Sequence, residues 1–158
     1  MPARPDDGVT MVELVVVIAM MGALMAFAVV GWSAWARASA QDGAASTLEG
    51  TLRQAQQQAV SDGWATCVQF DAAADTWTTY EGACGSGGAA LTGPVGLGDG
   101  RLDLVDVAFS PTTGGSTAGV TFSARGTATP GRVRIARDGS DRVVTIAVEG
   151  LTGRVTTR

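Results

Sequence analysis

The sequence predicts an α+β protein: a long N-terminal transmembrane helix packed on a C-terminal, antiparallel, β-rich globular domain. Three patterns lead to this fold class. Residues 14–36 carry no charged side chain, and as a helix they would extend about 35 Å, more than the roughly 30 Å hydrocarbon core of a bilayer. Apolar residues then recur at a helical period between residues 39 and 62, and beyond Gly63 the period changes to two.

The second helical segment has one apolar stripe. Its leucines and alanines at positions 48, 52, 55 and 59 are spaced four, three and four apart, Val60 follows directly, and arginine and glutamines lie between them. Gly43 and Gly50 each weaken a helix by about 1 kcal/mol relative to alanine, so we expect a bend or break near residues 41–43. The sequence Ser-Asp-Gly at 61–63 is typical of a helix end.

Alternation of polar and apolar residues after this point predicts seven short strands. They cover residues 64–70, 76–81, 102–109, 119–124, 132–137, 142–149 and 154–157. Residues 71–75 and 138–141 have the composition of hairpin turns. The segments 82–100 and 111–118 are rich in glycine, serine, alanine or threonine and are predicted to be loops.

Composition argues against an enzyme. The chain has no histidine and, by inspection, no lysine, so a serine or cysteine nucleophile would lack its usual base. Asp99, Asp103 and Asp106 alternate with apolar residues, which favours the solvated face of an edge strand over paired catalytic carboxylates or a calcium site. The glycine-rich segment 96–100 lacks the lysine and helix of a phosphate loop. We therefore expect no catalytic residue, no metal and no cofactor.

The residues before the apolar run resemble the N-terminus of type IV prepilins and of the pseudopilins of type II secretion systems. Gly8 matches the last leader residue, Val9 the first mature residue, and Thr10 and Glu13 the two polar positions of that motif. Val9 stands where phenylalanine is usual, and the leader is less basic than most. The resemblance implies that a prepilin peptidase cleaves after Gly8 and methylates the new amino group of Val9.

Glu13 lies just inside the apolar segment, where insertion scales assign a carboxylate a cost of about 2–3 kcal/mol. One interpretation is a glutamate tolerated at the membrane interface. The family resemblance implies another: Glu13 neutralises the N-terminal ammonium of a neighbouring subunit during assembly, because two buried charges are tolerated better as a pair than alone.

Two further stretches resemble the GspH/FimT branch of minor pseudopilins: the leucine and alanine register of residues 48–60, and the tail Gly150-x-x-Gly153-Arg154-Val155. That branch implies a pilin-like fold with four parts. They are a leader peptide at 1–8, a transmembrane and assembly helix at 9–36, a soluble helical continuation at 37–63 and a β-rich GspH/FimT-like domain at 64–158.

Location follows from the resemblance, since Arg4 and Arg37 on either side of the span leave the positive-inside rule undecided. It implies a single-pass protein of the cytoplasmic (inner) membrane, with the N-terminus inside, the C-terminal domain outside the cytoplasm, and a place in a filament after assembly. Cys67 and Cys84 would then sit in an oxidising compartment, where a disulfide would contribute about 3 kcal/mol. Two unpaired thiols are the alternative.

Two functions are considered. The favoured one is a minor pseudopilin or pilin that assembles into, or caps, a type II secretion pseudopilus or type IV pilus; its partners are the prepilin peptidase, other subunits and the membrane. The other is a filament-borne DNA receptor for natural transformation, using C-terminal arginines in a phosphate-binding patch. Residues 1–124 hold four arginines and twelve acids, net −8, which opposes DNA binding. The candidate DNA-binding residues are Arg132, Arg134, Arg137 and Arg154, extended by Arg142 and Arg158.

Overall fold

In the computed structural model, which describes residues 10–110 and 118–158, one helix precedes eight strands. The elements are α1 (Met11–Asp62), β1 (Thr66–Asp71), β2 (Thr76–Glu81), β3 (Ala90–Gly96), β4 (Leu102–Phe109), β5 (Gly119–Phe122), β6 (Gly131–Arg137), β7 (Ser140–Val148) and β8 (Val155–Thr157). The chain divides into two units, Met1–Ser39 and Ala40–Arg158. The predicted leader, the cleavage position and residues 111–117 of the predicted loop lie outside the described residues.

The start of α1 is capped by Thr10. Its hydroxyl accepts a hydrogen bond from the backbone N–H of Glu13 at 3.3 Å, and its carbonyl accepts one from Leu14 at 3.1 Å. A threonine followed three residues later by glutamate is the spacing of a capping box, which supplies partners to N–H groups that have none within the helix.

The first unit holds residues 11–39 of α1, and fourteen of its large apolar side chains are exposed. Those of Met11, Val12, Leu14, Val15, Val16, Val17, Ile18, Met20, Met21, Leu24, Met25, Phe27, Trp32 and Trp35 all face outward. The rings of Trp32 and Trp35 lie 5.4 Å apart. Within the described part of the chain, no helix combines the length and the apolarity that a membrane span requires.

The helical part of the second unit confirms the predicted stripe except at Val60, which is 52% exposed. Leu48, Leu52, Ala55 and Ala59 are at most 2% exposed and belong to the hydrophobic core. The break expected near residues 41–43 was wrong, since α1 continues through them. Packing of the adjacent alanines and leucines against the sheets outweighs the helix penalty of the glycine. The helix ends as predicted, with Gly63 at a φ of 78° after Asp62.

Two antiparallel four-stranded sheets, in the orders β3-β2-β1-β5 and β4-β6-β7-β8, complete this unit. Their inner faces meet α1 and one another in a single core. The ring of Phe70 on β1 stacks on that of Phe109 on β4 at 5.7 Å, joining the two sheets. On the helix side, the indole N–H of Trp77 donates to the hydroxyl of Thr51 at 3.4 Å.

Strand β3 corrects the prediction of a loop over residues 82–100. It pairs with β2, Trp77 opposite Val95 and Thr79 opposite Thr92, through two register shifts. Six of its seven residues are exposed, and Val95 is the exception. An edge strand held by backbone hydrogen bonds needs little apolar alternation, which is why its composition resembles a loop.

Candidate functional site

Glu13, the residue predicted to pair with a neighbouring subunit during assembly, lies within the described part of α1. Glu13 lies in the first helical turn and is exposed. Within the residues that the structure describes, its carboxylate has no ion-pair partner. Gly8 and Val9, the predicted cleavage and methylation residues, lie outside them.

Arg132 and Arg134 on β6 point away from the core, since they alternate with Val133 and Ile135, which are fully buried. Both nevertheless bind one carboxylate oxygen. Asp106 Oδ2 lies 3.1 Å from Arg132 Nε and 3.3 Å from an Nη of Arg134. Two of the predicted phosphate ligands thus already share an anion.

A β-bulge in β4 creates this arrangement. Val105 pairs with Arg134 and Ala108 with Arg132, so Asp106 and Val107 together oppose a single residue of β6. Asp106 occupies the left-handed region at a φ of 52°, which aspartate tolerates better than most residues. The bulge thereby places its carboxylate beside both guanidinium groups.

Arg137 corrects the prediction of a shared solvent face. It has the same strand parity as Val133 and Ile135, so its side chain is only 8% exposed, and it binds Asp99 Oδ2 at 3.0 Å. Burial together with a carboxylate partner keeps this guanidinium from acting as a surface ligand. Alternation along β6 alone could have assigned it to the inner side.

The remaining arginines of the predicted patch are separate from these three. Arg142 on β7 binds Asp42 of α1 through both terminal nitrogens, at 2.5 and 3.4 Å. Arg154 and Arg158 have no ion-pair partner in the described part of the chain. The structure therefore does not assemble the predicted residues into one unpaired cationic surface.

Cys67 and Cys84 form a disulfide with a Cα–Cα distance of 5.0 Å. Cys67 lies on the outer face of β1, and the loop bearing Cys84 covers it; the backbone N–H of Cys84 donates to the hydroxyl of Thr121 at 3.0 Å. Gly119 allows this approach, because a Cβ there would lie 2.8 Å from Cys84 Sγ.

A group of three aspartates surrounds the start of β4. Asp75 accepts a hydrogen bond from the backbone N–H of Leu104 at 2.8 Å. Desolvation, followed by repulsion from Asp138 and from Asp75, raises the pKa of Asp103. No histidine, cysteine, aspartate or glutamate cluster suited to a metal ion occurs within the described residues.

Sequence reasoning overlooked two glutamines of α1 that bind segments far along the chain. Gln41, only 1% exposed, donates to the carbonyls of Ile135 and Arg142 at 3.0 and 2.9 Å. Gln56 donates to the carbonyls of Gly126 and Thr152, both at 3.0 Å. A polar side chain beside an apolar stripe gives no sequence signal of such contacts.

The family model described as type II transport protein GspH matches residues 44–152. The minor pseudopilin EpsH from the type 2 secretion system of Vibrio cholerae superposes with a TM-score of 0.57 at 15% identity, covering 75% of this chain and 95% of that chain. The type IV minor pilin FimU of Pseudomonas aeruginosa gives a TM-score of 0.55 at 23% identity, with coverages of 74% and 87%. No curated protein matches the sequence.

The similarity to these solved structures, at such low identity, establishes the fold. It confirms the predicted α+β architecture with an N-terminal helix and antiparallel sheets. Because the family model covers more than half of the chain, it establishes the family as well.

Proposed function

Because the chain belongs to the GspH family of type II transport proteins, we propose that it is a minor pseudopilin or minor pilin that is anchored in the membrane and then joins or caps a filament. Proteins of this family are structural subunits rather than enzymes, and other pseudopilins or pilins are the partners that membership implies. The machine is a type II secretion pseudopilus or a type IV pilus.

The observation that carries the anchoring step is the apolar surface of residues 11–27. Large hydrophobic side chains are exposed around this part of α1, among them Leu14, Ile18 and Phe27 at 56, 57 and 79%. Contiguous apolar surface on this scale is costly in water. A bilayer before assembly, and the helices of neighbouring subunits afterwards, would both cover it.

We place the cytoplasm on the side of Thr10 and the β-rich unit on the other side of the inner membrane. The disulfide between Cys67 and Cys84 supports that placement, because disulfides persist in oxidising compartments. Alkaline phosphatase fused after Arg158 should be active, and the same enzyme fused before the helix should be inactive. The reverse pattern would refute the orientation.

Processing provides the decisive experiment. Co-expression with a prepilin peptidase should remove the first eight residues and leave an N-methylated Val9, which intact mass spectrometry detects. Gly8→Ala should block the cut, whereas Gly22→Ala, within the helix, should not. A mature protein that keeps its leader in the native host would contradict the proposed function.

A further inference from the structure

The outer edge of β8 faces a groove of about 540 Å³ against α1. The groove is lined by Glu49, Arg53, Gln56 and Gln57 of the helix and by Arg154, Val155, Thr156 and Thr157 of the strand. All of them belong to the second unit. One wall is therefore a polar helix face and the other is the edge of a sheet.

Backbone hydrogen-bonding groups of β8 point into this groove. Thr145 and Arg158 exchange both of their backbone hydrogen bonds, at 2.8 and 2.9 Å. Since such pairs alternate along an antiparallel ladder, Thr156 also bonds to β7, whereas Val155 and Thr157 direct their N–H and C=O groups away from it. These two residues offer the hydrogen bonds that an additional strand would use.

In the described chain, the other three sheet edges carry features that hinder pairing with a further strand. On β4, Asp75 binds the outward N–H of Leu104, and the bulge at Asp106 interrupts the edge. Beside β5, Thr129 binds the outward groups of Thr121. Edge β3 contains Pro94, which has no N–H. Such devices prevent unwanted pairing. Strand β8 is itself short, at three residues, but among the described residues it has no side-chain cap on its outward backbone groups, no bulge and no proline.

The charge of the groove lining favours an acidic strand as the one that binds. Glu49 is already bound on both oxygens, by Arg53 and by the hydroxyl of Thr157. Arg154 is exposed and unpaired in the described part of the chain. With two arginines and one glutamate, the lining carries a net charge of +1. An acidic side chain on the incoming strand would pair with Arg154 without displacing another group.

We propose that this groove binds an extended acidic peptide segment of a partner protein by adding it as a fifth strand next to β8. Three residues of strand, about 10 Å, fit the open edge. Backbone hydrogen bonds would supply affinity, and the contact with Arg154 would supply the preference for an acidic side chain.

The test uses the full chain in detergent micelles and a synthetic pentapeptide, Thr-Val-Glu-Val-Thr. Amide chemical shifts of Val155 and Thr157 should move on titration, with weaker effects elsewhere. The peptide with lysine in place of glutamate should bind at least fivefold more weakly. A version methylated on alternate backbone nitrogens should not bind.

Two substitutions at Thr157 distinguish the contribution of its backbone N–H to peptide binding from that of its side chain. Thr157→Pro removes an outward N–H but no hydrogen bond to β7, so it should preserve the fold and weaken binding at least tenfold. Thr157→Ala keeps that N–H and should bind within about twofold of wild type. Arg154→Gln should abolish the preference for glutamate over lysine.

The proposal would be overturned if the amide chemical shifts did not change at millimolar peptide. It would also be overturned if Thr157→Pro bound the peptide as tightly as the wild type does. Displacement of the peptide by duplex DNA that binds Thr157→Pro as well as wild type would likewise refute it, since it would identify an electrostatic site instead. Peptidase processing of each variant reports separately on the proposed filament function.

Discussion

The side-chain amide of Gln41 donates a hydrogen bond of 3.0 Å to the carbonyl of Ile135, which lies 94 residues later in the sequence. Its second hydrogen reaches the carbonyl of Arg142. The register between β6 and β7 shifts after Ile135, so the regular ladder is interrupted next to these carbonyls. Gln41 thus donates to one carbonyl on each of the two strands at this interruption.

Replacing Gln41 with leucine should destabilise the second unit by about 2–3 kcal/mol, because two carbonyls would lose their donor at a buried position. Chemical denaturation of the full chain measures the free energy of unfolding. Asp42→Asn is the neighbouring control: it weakens an exposed ion pair with Arg142, which contributes less than about 1 kcal/mol. Equal effects of the two changes would contradict the role assigned to Gln41.

Thr66→Val should be neutral or should raise the free energy of unfolding by about 1 kcal/mol. Thr66 is fully buried, and its hydroxyl has no hydrogen-bond partner among the described residues. An unsatisfied buried polar group costs roughly 1–3 kcal/mol. Thr66→Ala is the control, since it also removes the hydroxyl but leaves a small cavity and should destabilise. A clear loss of stability in the valine variant would show that the hydroxyl has an unseen partner.

Asp103→Asn should stabilise the protein at neutral pH. Desolvation and then repulsion by Asp138 and Asp75 raise the pKa of Asp103, so folding disfavours its ionised form. The favourable contribution of the protonated form is complete below the unfolded pKa of about 4 and is lost as pH rises through the folded value.

The gain in thermal midpoint caused by asparagine should therefore be largest near pH 7 and should shrink as the pH falls towards about 4. Asp71→Asn, at the exposed end of β1, keeps the side-chain acceptor for the backbone N–H groups of Ala73 and Ala74 and controls for the change in net charge. An advantage for Asp103→Asn that grew on acidification would refute the assigned sign.

Glu13→Gln should be inserted and cleaved normally but should fail to enter filaments, because the neighbour's N-terminal ammonium would lose its counter-charge. Mass spectrometry checks cleavage, and immunoblotting of sheared filaments checks incorporation. Thr10→Ala, which removes the helix cap at a cost of about 1 kcal/mol, separates loss of helix stability from loss of charge. Incorporation of Glu13→Gln at the wild-type level would favour the interfacial interpretation.

The full chain should show little affinity for duplex DNA at physiological salt. Arg132 and Arg134 share Asp106, and Arg137 is buried against Asp99. Fluorescence anisotropy with a labelled duplex is the measurement. Tight, salt-sensitive binding that Arg132→Gln with Arg134→Gln abolishes would establish the DNA-receptor alternative.

Asp106→Asn tests whether this carboxylate is what keeps Arg132 and Arg134 from binding DNA. It should release both arginines and increase affinity for DNA, with a salt dependence steeper by up to about two phosphate contacts. The control is again Asp71→Asn, which alters net charge equally but lies away from β6.

The parts of the fold that follow a period could be predicted from sequence. The stripe from Leu48 to Ala59 and the helix end at Gly63 were predictable because each depends on neighbouring residues alone. Strand β3 was not, since backbone pairing with β2 holds it. Nor was the contact between Asp106 and two arginines, because it arises from a bulge that alternation does not encode.

The polar contacts of α1 also bear on the order of events during synthesis. Its amide and carboxylate groups bind partners that follow 70 to 108 residues later: Gln56 with Gly126, and Glu49 with Thr157. A ribosome adding about 5–20 residues per second needs on the order of 5–20 s to deliver the more distant ones. During that interval these polar groups of the helix are complete but their partners have not yet been made. A holding chaperone would therefore be of most use to this chain before β8 emerges.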